Sequence, residues 1–181
     1  MLKPSDKWTW YYDDREGTLM LDLGDDMIFQ TNLSRKLIVD CAIGINEFSV
    51  EDAAAFMTYR EQISALPLSE PRQAELALYC VAAKRFHKPV QPKSWFFDSL
   101  CDGENHLQEG DFVQLSNQYG QGLFIVLEVG SSASLCASVQ IEEFALNGSK
   151  SLVFGQSIKV MHDRMQMVNL NVPAIPMALV G

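Results

Sequence analysis

Three histidines, at 87, 106 and 162, are the first candidates for chemistry in this chain. They lie far apart and show no His-x-x-x-His or related ligand spacing. Cys101, Asp102 and His106 can be drawn as a nucleophile set. However, Asp102-Gly103-Glu104-Asn105 reads as a turn, and no oxyanion element accompanies it. The expectation is a loop thiol beside a surface histidine. Asp13-Asp14, Asp25-Asp26 and Glu142-Glu143 are adjacent acidic pairs. Neighbours on a strand point to opposite faces, so these pairs read as solvated turns rather than acid–base dyads. Gly120-Gln121-Gly122 lacks the third glycine and the following helix of a phosphate-cradling loop. The inventory points away from an enzyme, and no cofactor or metal is expected.

Binding is better supported. Between Glu75 and Asp98 there is no acidic residue, yet Lys84, Arg85, His87, Lys88 and Lys93 fall within ten positions. The rest of the chain is acidic, with 23 Asp and Glu against 14 Lys and Arg and a formal charge of −9. A cationic island on an anionic molecule suits a specific anionic partner, because the remaining surface repels polyanions in general. Its bland reading is helix C-terminal capping plus a linker. A second candidate is Ile158-Lys159-Val160-Met161-His162-Asp163-Arg164, which as a strand puts Lys159, Met161 and Asp163 on one face. Its bland reading is an ordinary edge strand. A third is the content of eight methionines and ten phenylalanines, mostly core material but also suited to adaptable binding surfaces.

The composition, 48% hydrophobic and 20% charged, is that of a folded globular chain. The acidic balance opposes a nucleic-acid partner. Met1 to Trp8 has no apolar signal region and no run is long enough to cross a membrane, so a cytoplasmic protein is expected. Cys41, Cys80, Cys101 and Cys136 form no Cys-x-x-Cys and are expected as buried thiols.

Periodicity places these residues on elements. Residues 8–12, 18–23 and 27–31 read as three strands joined by short Gly/Asp turns, with Leu19, Leu21 and Leu23 on one face. Ser49 caps a helix to about Ala65, with Val50, Ala53, Ala54 and Met57 as its apolar stripe. Ser69 and Pro71 open a second helix, with Leu76, Tyr79, Cys80, Ala83 and Phe86 in register; Lys84, Arg85 and Lys88 fall at its end, and Pro89 stops it. After Pro92 short strands are expected at 94–97, 111–115, 123–128, 135–141, 143–146, 152–154 and 158–161, with a hairpin signal at Asn147-Gly148. The tail after Val168 is uncharged and expected to be loosely held or strapped along the surface. The class is α+β. An N-terminal α/β domain of antiparallel strands plus two helices (1–92) is followed by a twisted β-barrel-like domain (93–181).

Trp8-x-Trp10-Tyr11-Tyr12-Asp13, Met20-Leu21-Asp22-Leu23, Arg35-Lys36, Glu51-Asp52-Ala53-Ala54, Ala74-Glu75-Leu76, Lys88-Pro89-x-x-Pro92-Lys93-Ser94-Trp95 and Ile158-Lys159-x-Met161-x-Asp163-Arg164 together resemble the ZapC family of Z-ring-associated cell-division proteins. The resemblance runs from about residue 3 to about 170 and is weak between 98 and 150. It implies a non-enzymatic cytoplasmic protein at the midcell division ring. Such a protein would bind the tubulin-like GTPase FtsZ, promote lateral association of its protofilaments and lower its GTP turnover. It also implies a pocket in each half, one linked to bundling and one, apolar at its centre and ringed by basic residues, linked to FtsZ attachment. Carried over by position, the N-terminal and hinge surface takes Leu21, Met57 and Lys88, with Lys93 near the junction and Arg85 from the island itself. Met57 stands where the family can have phenylalanine. The pocket of the second half would use Lys159 and Arg164, with Met161 and Trp95 as apolar members. A monomer is expected, since no long heptad stretch is present, and neither a membrane nor a nucleic acid is expected as partner. The competing reading is a single-stranded nucleic-acid module using the β half and the basic segment.

Overall fold

The computed structural model describes residues 2–100, 102 and 106–170. The chain opens with three antiparallel strands, β1 (Thr9–Asp13), β2 (Thr18–Gly24) and β3 (Met27–Ser34), as the turn signals predict. The β2–β3 turn holds Asp25 and Asp26 at positive φ, the conformation that a two-residue hairpin requires. A short β4 (Asn46–Glu47) adds to β1 and completes a sheet of order β3-β2-β1-β4.

Helix α1 (Val50–Ile63) starts at Ser49, whose hydroxyl accepts from the Asp52 amide at 3.1 Å while the Asp52 carboxylate accepts from the Ser49 amide at 3.0 Å. Of the expected stripe only Ala53 packs against the core, and the helix turns a different face inward. Asp52, Phe56, Tyr59 and Ile63 are buried, whereas Val50 is 83% and Met57 55% exposed. The reason is size: each large side chain taken out of water contributes roughly 1.5–3 kcal/mol, so Phe56 and Ile63 outweigh a stripe half made of alanines.

Helix α2 (Glu70–Phe86) follows, capped by Ser69. It is buried almost all round from Leu76 to Ala83, the mark of a central helix. On one side it meets α1 and the first sheet. On the other it meets the second sheet, through Ile125, Leu127, Leu135 and Ala137.

That second sheet comprises β5 (Phe112–Asn117), β6 (Gly120–Val129), β7 (Ala133–Ser138), β10 (Ser157–Met161) and β11 (Gln166–Val168), in the order β10-β7-β6-β5-β11. The hairpin of β8 (Phe144–Ala145) and β9 (Ser151–Leu152) stands apart from it. The α+β class is as expected, but the sheet is open, with β10 and β11 as its edges, rather than a closed barrel. Its residues alternate between two cores. Phe112, Ile125 and Leu127 face α2, while Val113, Phe124 and Val126 face Phe97, Leu107, Phe144 and Met165. Burial on both faces accounts for the continuous apolar run of β6. It also leaves no open aromatic platform for stacked bases on this sheet.

Residues 94–97 are not a strand. Ser94–Phe96 form a single 3-10 turn that crosses the edge of β10, where the Met161 amide donates to Ser94 Oγ at 2.9 Å and the Lys93 amide to the Lys159 carbonyl at 2.8 Å. Gly120-Gln121-Gly122 is a hairpin end. A Cβ on Gly122 would lie 2.6 Å from the Phe144 ring, so this glycine serves packing. Residues 166–168 form an edge strand beyond those expected from the sequence, and Leu170 packs on the larger core. Cys80 and Cys136 are buried, but Cys41 is exposed, because it lies on a surface 3-10 turn. Cys101, Gly103–Asn105 and the tail from 171 lie outside the described residues.

One carboxylate joins these parts. Asp52 Oδ2 accepts from Trp10 Nε1 at 3.0 Å, from the Ser49 amide and from Arg85 at the end of α2. Asp52→Ala is expected to lower unfolding stability by about 3 kcal/mol, because it leaves a partly buried guanidinium and an indole N–H unpaired. Ser49→Ala should cost about 1 kcal/mol. Urea titration of both variants checks the order, and equal losses would contradict it.

Candidate functional site

The basic island is not one surface. Lys84 pairs with Glu109. Arg85 is taken up by Asp52, donates to the Glu47 carbonyl at 2.8 Å, and sits 4.7 Å over the Phe86 ring. These two cations are spent on structure. Beyond them residues 37–39 clasp the chain. The Val39 amide donates to the Phe86 carbonyl at 2.9 Å and the Lys88 amide to the Leu37 carbonyl at 2.8 Å, with Ile38 bridged to His87. Pro89–Pro92 then carries the chain across to β10.

This crossing leaves a cavity of about 520 Å³ between the 36–37 segment, the 90–93 linker, the β8–β9 hairpin and β10. Leu37, Val90, Phe96, Leu146, Leu152 and Ile158 supply apolar surface. Lys36, Lys93, Lys150 and Lys159 ring it, and no carboxylate lines it. An apolar floor inside a lysine ring takes a ligand with apolar side chains flanked by negative charge, such as an acidic protein segment. Lys93 and Lys150 also border a neighbouring cavity of about 580 Å³ that carries Trp95, 70% exposed, against Phe96.

The structure therefore brings Lys93 and Lys159 together and sets Trp95 beside them. Lys88 lies next door, in a small cleft of about 140 Å³ shared with His87, Glu128 and Lys159. Met161 is partly exposed on β10. Arg164 is outside the ring; it pairs with Asp163 at 2.7 Å on a 3-10 turn after β10. Leu21 is fully buried opposite Trp10 and presents no surface, while Met57 is exposed on α1. Lys36 and Lys150 are the ring members that the sequence reading missed. Both are far from Lys93 in sequence, and only the clasp and the hairpin turn bring them in.

His87 forms a wall between the two clefts, and its Nδ1–H donates to the Lys88 carbonyl at 2.7 Å. Burial holds its pKa below the ordinary value, with Lys88 and Lys159 adding to the effect and the carbonyl bond and Glu128 opposing it. Burial lowers His162 in the same way, beside Ser134 Oγ at 2.7 Å. No group of three or more His, Cys, Asp or Glu side chains able to hold a metal ion occurs among the described residues. Among them, no helix is long and apolar enough to cross a membrane.

The structure is thus an α+β protein with a cationic, apolar-floored cavity where its two parts cross. Residues 1–88 match the family model described as cell-division protein ZapC, N-terminal, and residues 89–171 match cell-division protein ZapC, C-terminal. The chain is 63% identical to the cell division protein ZapC of Vibrio cholerae and 61% identical to that of Vibrio vulnificus, in each case over 181 residues and the whole of both chains. It is 53% identical to that of Aliivibrio salmonicida over 172 residues, 93% of this chain and 96% of the relative. The chain belongs to the ZapC family, and its role is in cell division.

Protonation of His87 and His162 favours the unfolded chain, since both have lowered folded pKa values. The stability carried by their neutral forms is complete above the ordinary value of 6.5 and is lost as pH falls through the folded values. The urea midpoint should therefore fall between about pH 7 and about pH 5, where His is the side chain that titrates. A His87→Gln, His162→Gln double variant should lose most of that slope; an unchanged slope would show that other groups cause it.

Proposed function

We propose that this protein is a non-enzymatic, cytoplasmic adaptor of the midcell division ring. On this reading it binds polymerised FtsZ as a monomer, promotes lateral association of protofilaments and lowers GTP turnover. The observation that carries the reading is the cavity ringed by Lys36, Lys93, Lys150 and Lys159, with its apolar floor and no lining carboxylate. FtsZ is an acidic protein, as the present chain is, with its charge of −9. Two such molecules repel at a distance and attract only where cations are gathered, so the ring selects both the partner and its orientation.

Bundling needs a second contact or the neutralisation of filament repulsion. On this reading the attachment site is the cavity at the crossing, with Trp95, Lys159 and Met161 at or near it. Residues 1–92 offer Lys88 and the outward α1 stripe of Val50, Ala54 and Met57 as the second contact. Leu21 contributes through packing beneath that half. Arg85 and Arg164, already paired, contribute through the positions of their neighbours.

Co-sedimentation with FtsZ and GTP tests the reading. At low salt the protein should increase the pelleted FtsZ, and the increase should fade as the Debye length shrinks from about 10 Å at 0.1 M to about 3 Å at 1 M salt. Lys93→Glu, Lys159→Glu should weaken binding at least tenfold while the fold, checked by circular dichroism, is kept. No enhancement by the unaltered protein at low salt would overturn the reading. Full pelleting by the folded double variant would overturn the cavity's part in it.

A further inference from the structure

One side chain of the crossing cavity changes its charge near neutral pH. Lys36, Lys93, Lys150 and Lys159 are permanent cations there, and none of them forms an ion pair among the described residues. His87 lines the same cavity and also the neighbouring small cleft, so its imidazole is shared by both. Of the side chains that line the cavity, it alone titrates between about pH 5 and about pH 8.

The imidazole is held in one tautomer. A carbonyl oxygen only accepts, so the 2.7 Å contact with the Lys88 carbonyl puts the hydrogen of the neutral ring on Nδ1. Nε2 then carries the lone pair, and it has no partner among the described residues. A proton arriving at His87 therefore binds at Nε2 and breaks no hydrogen bond. The backbone here is anchored too. The His87 amide donates to the Ala83 carbonyl at 3.0 Å, and Ile38 is bridged to His87 from the clasp.

The neighbours of the ring set its charge. Burial is the largest influence against the protonated form, and Lys88 of the linker and Lys159 of β10 add to it. The Lys88 carbonyl and Glu128 of β6 work the other way. Lys36, Lys93 and Lys150 line the cavity from the 36–37 segment, the linker and the β8–β9 hairpin. A carboxylate placed among these lysines adds an opposite charge beside the imidazole and favours its protonation.

We infer that His87 is a proton-gated fifth member of the ring: a carboxylate of the docked acidic segment accepts a hydrogen bond from protonated Nε2, so docking carries a proton into the cavity and tightens as pH falls. This rests on the reading of the cavity as the seat of an acidic, apolar protein segment, and not on FtsZ as the owner of that segment. The coupling is reciprocal: protonation strengthens docking by the factor by which docking favours protonation.

The test uses the full chain at low salt and a fluorescent ten-residue peptide alternating leucine with aspartate, whose carboxylates stay ionised above about pH 6. Anisotropy should show affinity rising about threefold or more from about pH 8 to about pH 6, and about tenfold at most for each unit by which docking raises the pKa. Circular dichroism checks the fold at both ends. The nuclear magnetic resonance titration of the His87 imidazole should move to higher pH when the peptide is bound, a reading that needs no variant. His87→Gln, whose amide can still donate to the Lys88 carbonyl, should bind without the rise, and His162→Gln should keep it. Lys93→Glu, Lys159→Glu should weaken binding at least tenfold at both ends of the range. An equal rise in His87→Gln, or a His87 titration that the peptide does not move, would overturn the inference. So would absence of binding at pH 6, or equal binding of a peptide alternating leucine with serine. Should FtsZ fail to co-sediment while the peptide shows the His87-linked rise, the proposed partner is wrong and the gating stands; should FtsZ pellet while the rise is absent, the gating is wrong and the partner stands.

Discussion

A single carboxylate oxygen, Asp52 Oδ2, holds the geometry on which the rest depends. It accepts from the indole of Trp10 in β1, from the amide of Ser49 before α1 and from the guanidinium of Arg85 at the end of α2. Three elements distant in sequence are therefore registered by one acceptor. A buried ion pair is a poor source of net stability, because both charges lose hydration, but breaking it is costly and the alternatives it excludes are many. Here it fixes which face α1 turns inward and where α2 ends. The end of α2 in turn sets the start of the 37–39 clasp and the direction in which Pro89–Pro92 leaves.

The placement of the lysine ring follows from that direction. The linker reaches the edge of β10 and is held there through Lys93 and Ser94, so one wall of the cavity is made by the crossing itself. The larger core runs from Trp10 and Phe86 through α2 to Phe112 and Leu135, across the change from helices to strands. The two parts therefore share apolar packing, and a cavity between them has fixed walls. Lys36, Lys93, Lys150 and Lys159 gather at that crossing.

Much of the fold was legible before the structure. The three N-terminal strands, both helix caps and the Asn147-Gly148 turn follow from local chemistry, which packing did not need to override. The face of α1 was not legible, because that helix is apolar on more than one side and distant partners, Trp8 against Phe56 and Trp10 and Arg85 on Asp52, mark the side that is covered. Ser94–Phe97 looked like a strand because it is aromatic, yet Ser94 is needed to satisfy the β10 edge. The site was half legible. Lys36, Lys93 and Lys159 all lie in motifs that carry the resemblance to the family, but only the tertiary fold brings Lys36 to the other two and adds Lys150. Arg85 looked like part of a binding surface, because no local signal announces the distant carboxylate that consumes it.

The proposed function rests on a division of labour between two cations, with Arg85 spent on the fold and Lys159 of β10, on that proposal, kept for a partner. The most direct measurement compares Arg85→Gln with Lys159→Gln in two assays, urea unfolding and FtsZ affinity of the folded protein. The account predicts a crossed result: Arg85→Gln lowers stability and leaves affinity unchanged, while Lys159→Gln lowers affinity and leaves stability unchanged. The reverse pattern, or equal effects of both changes in both assays, would contradict it.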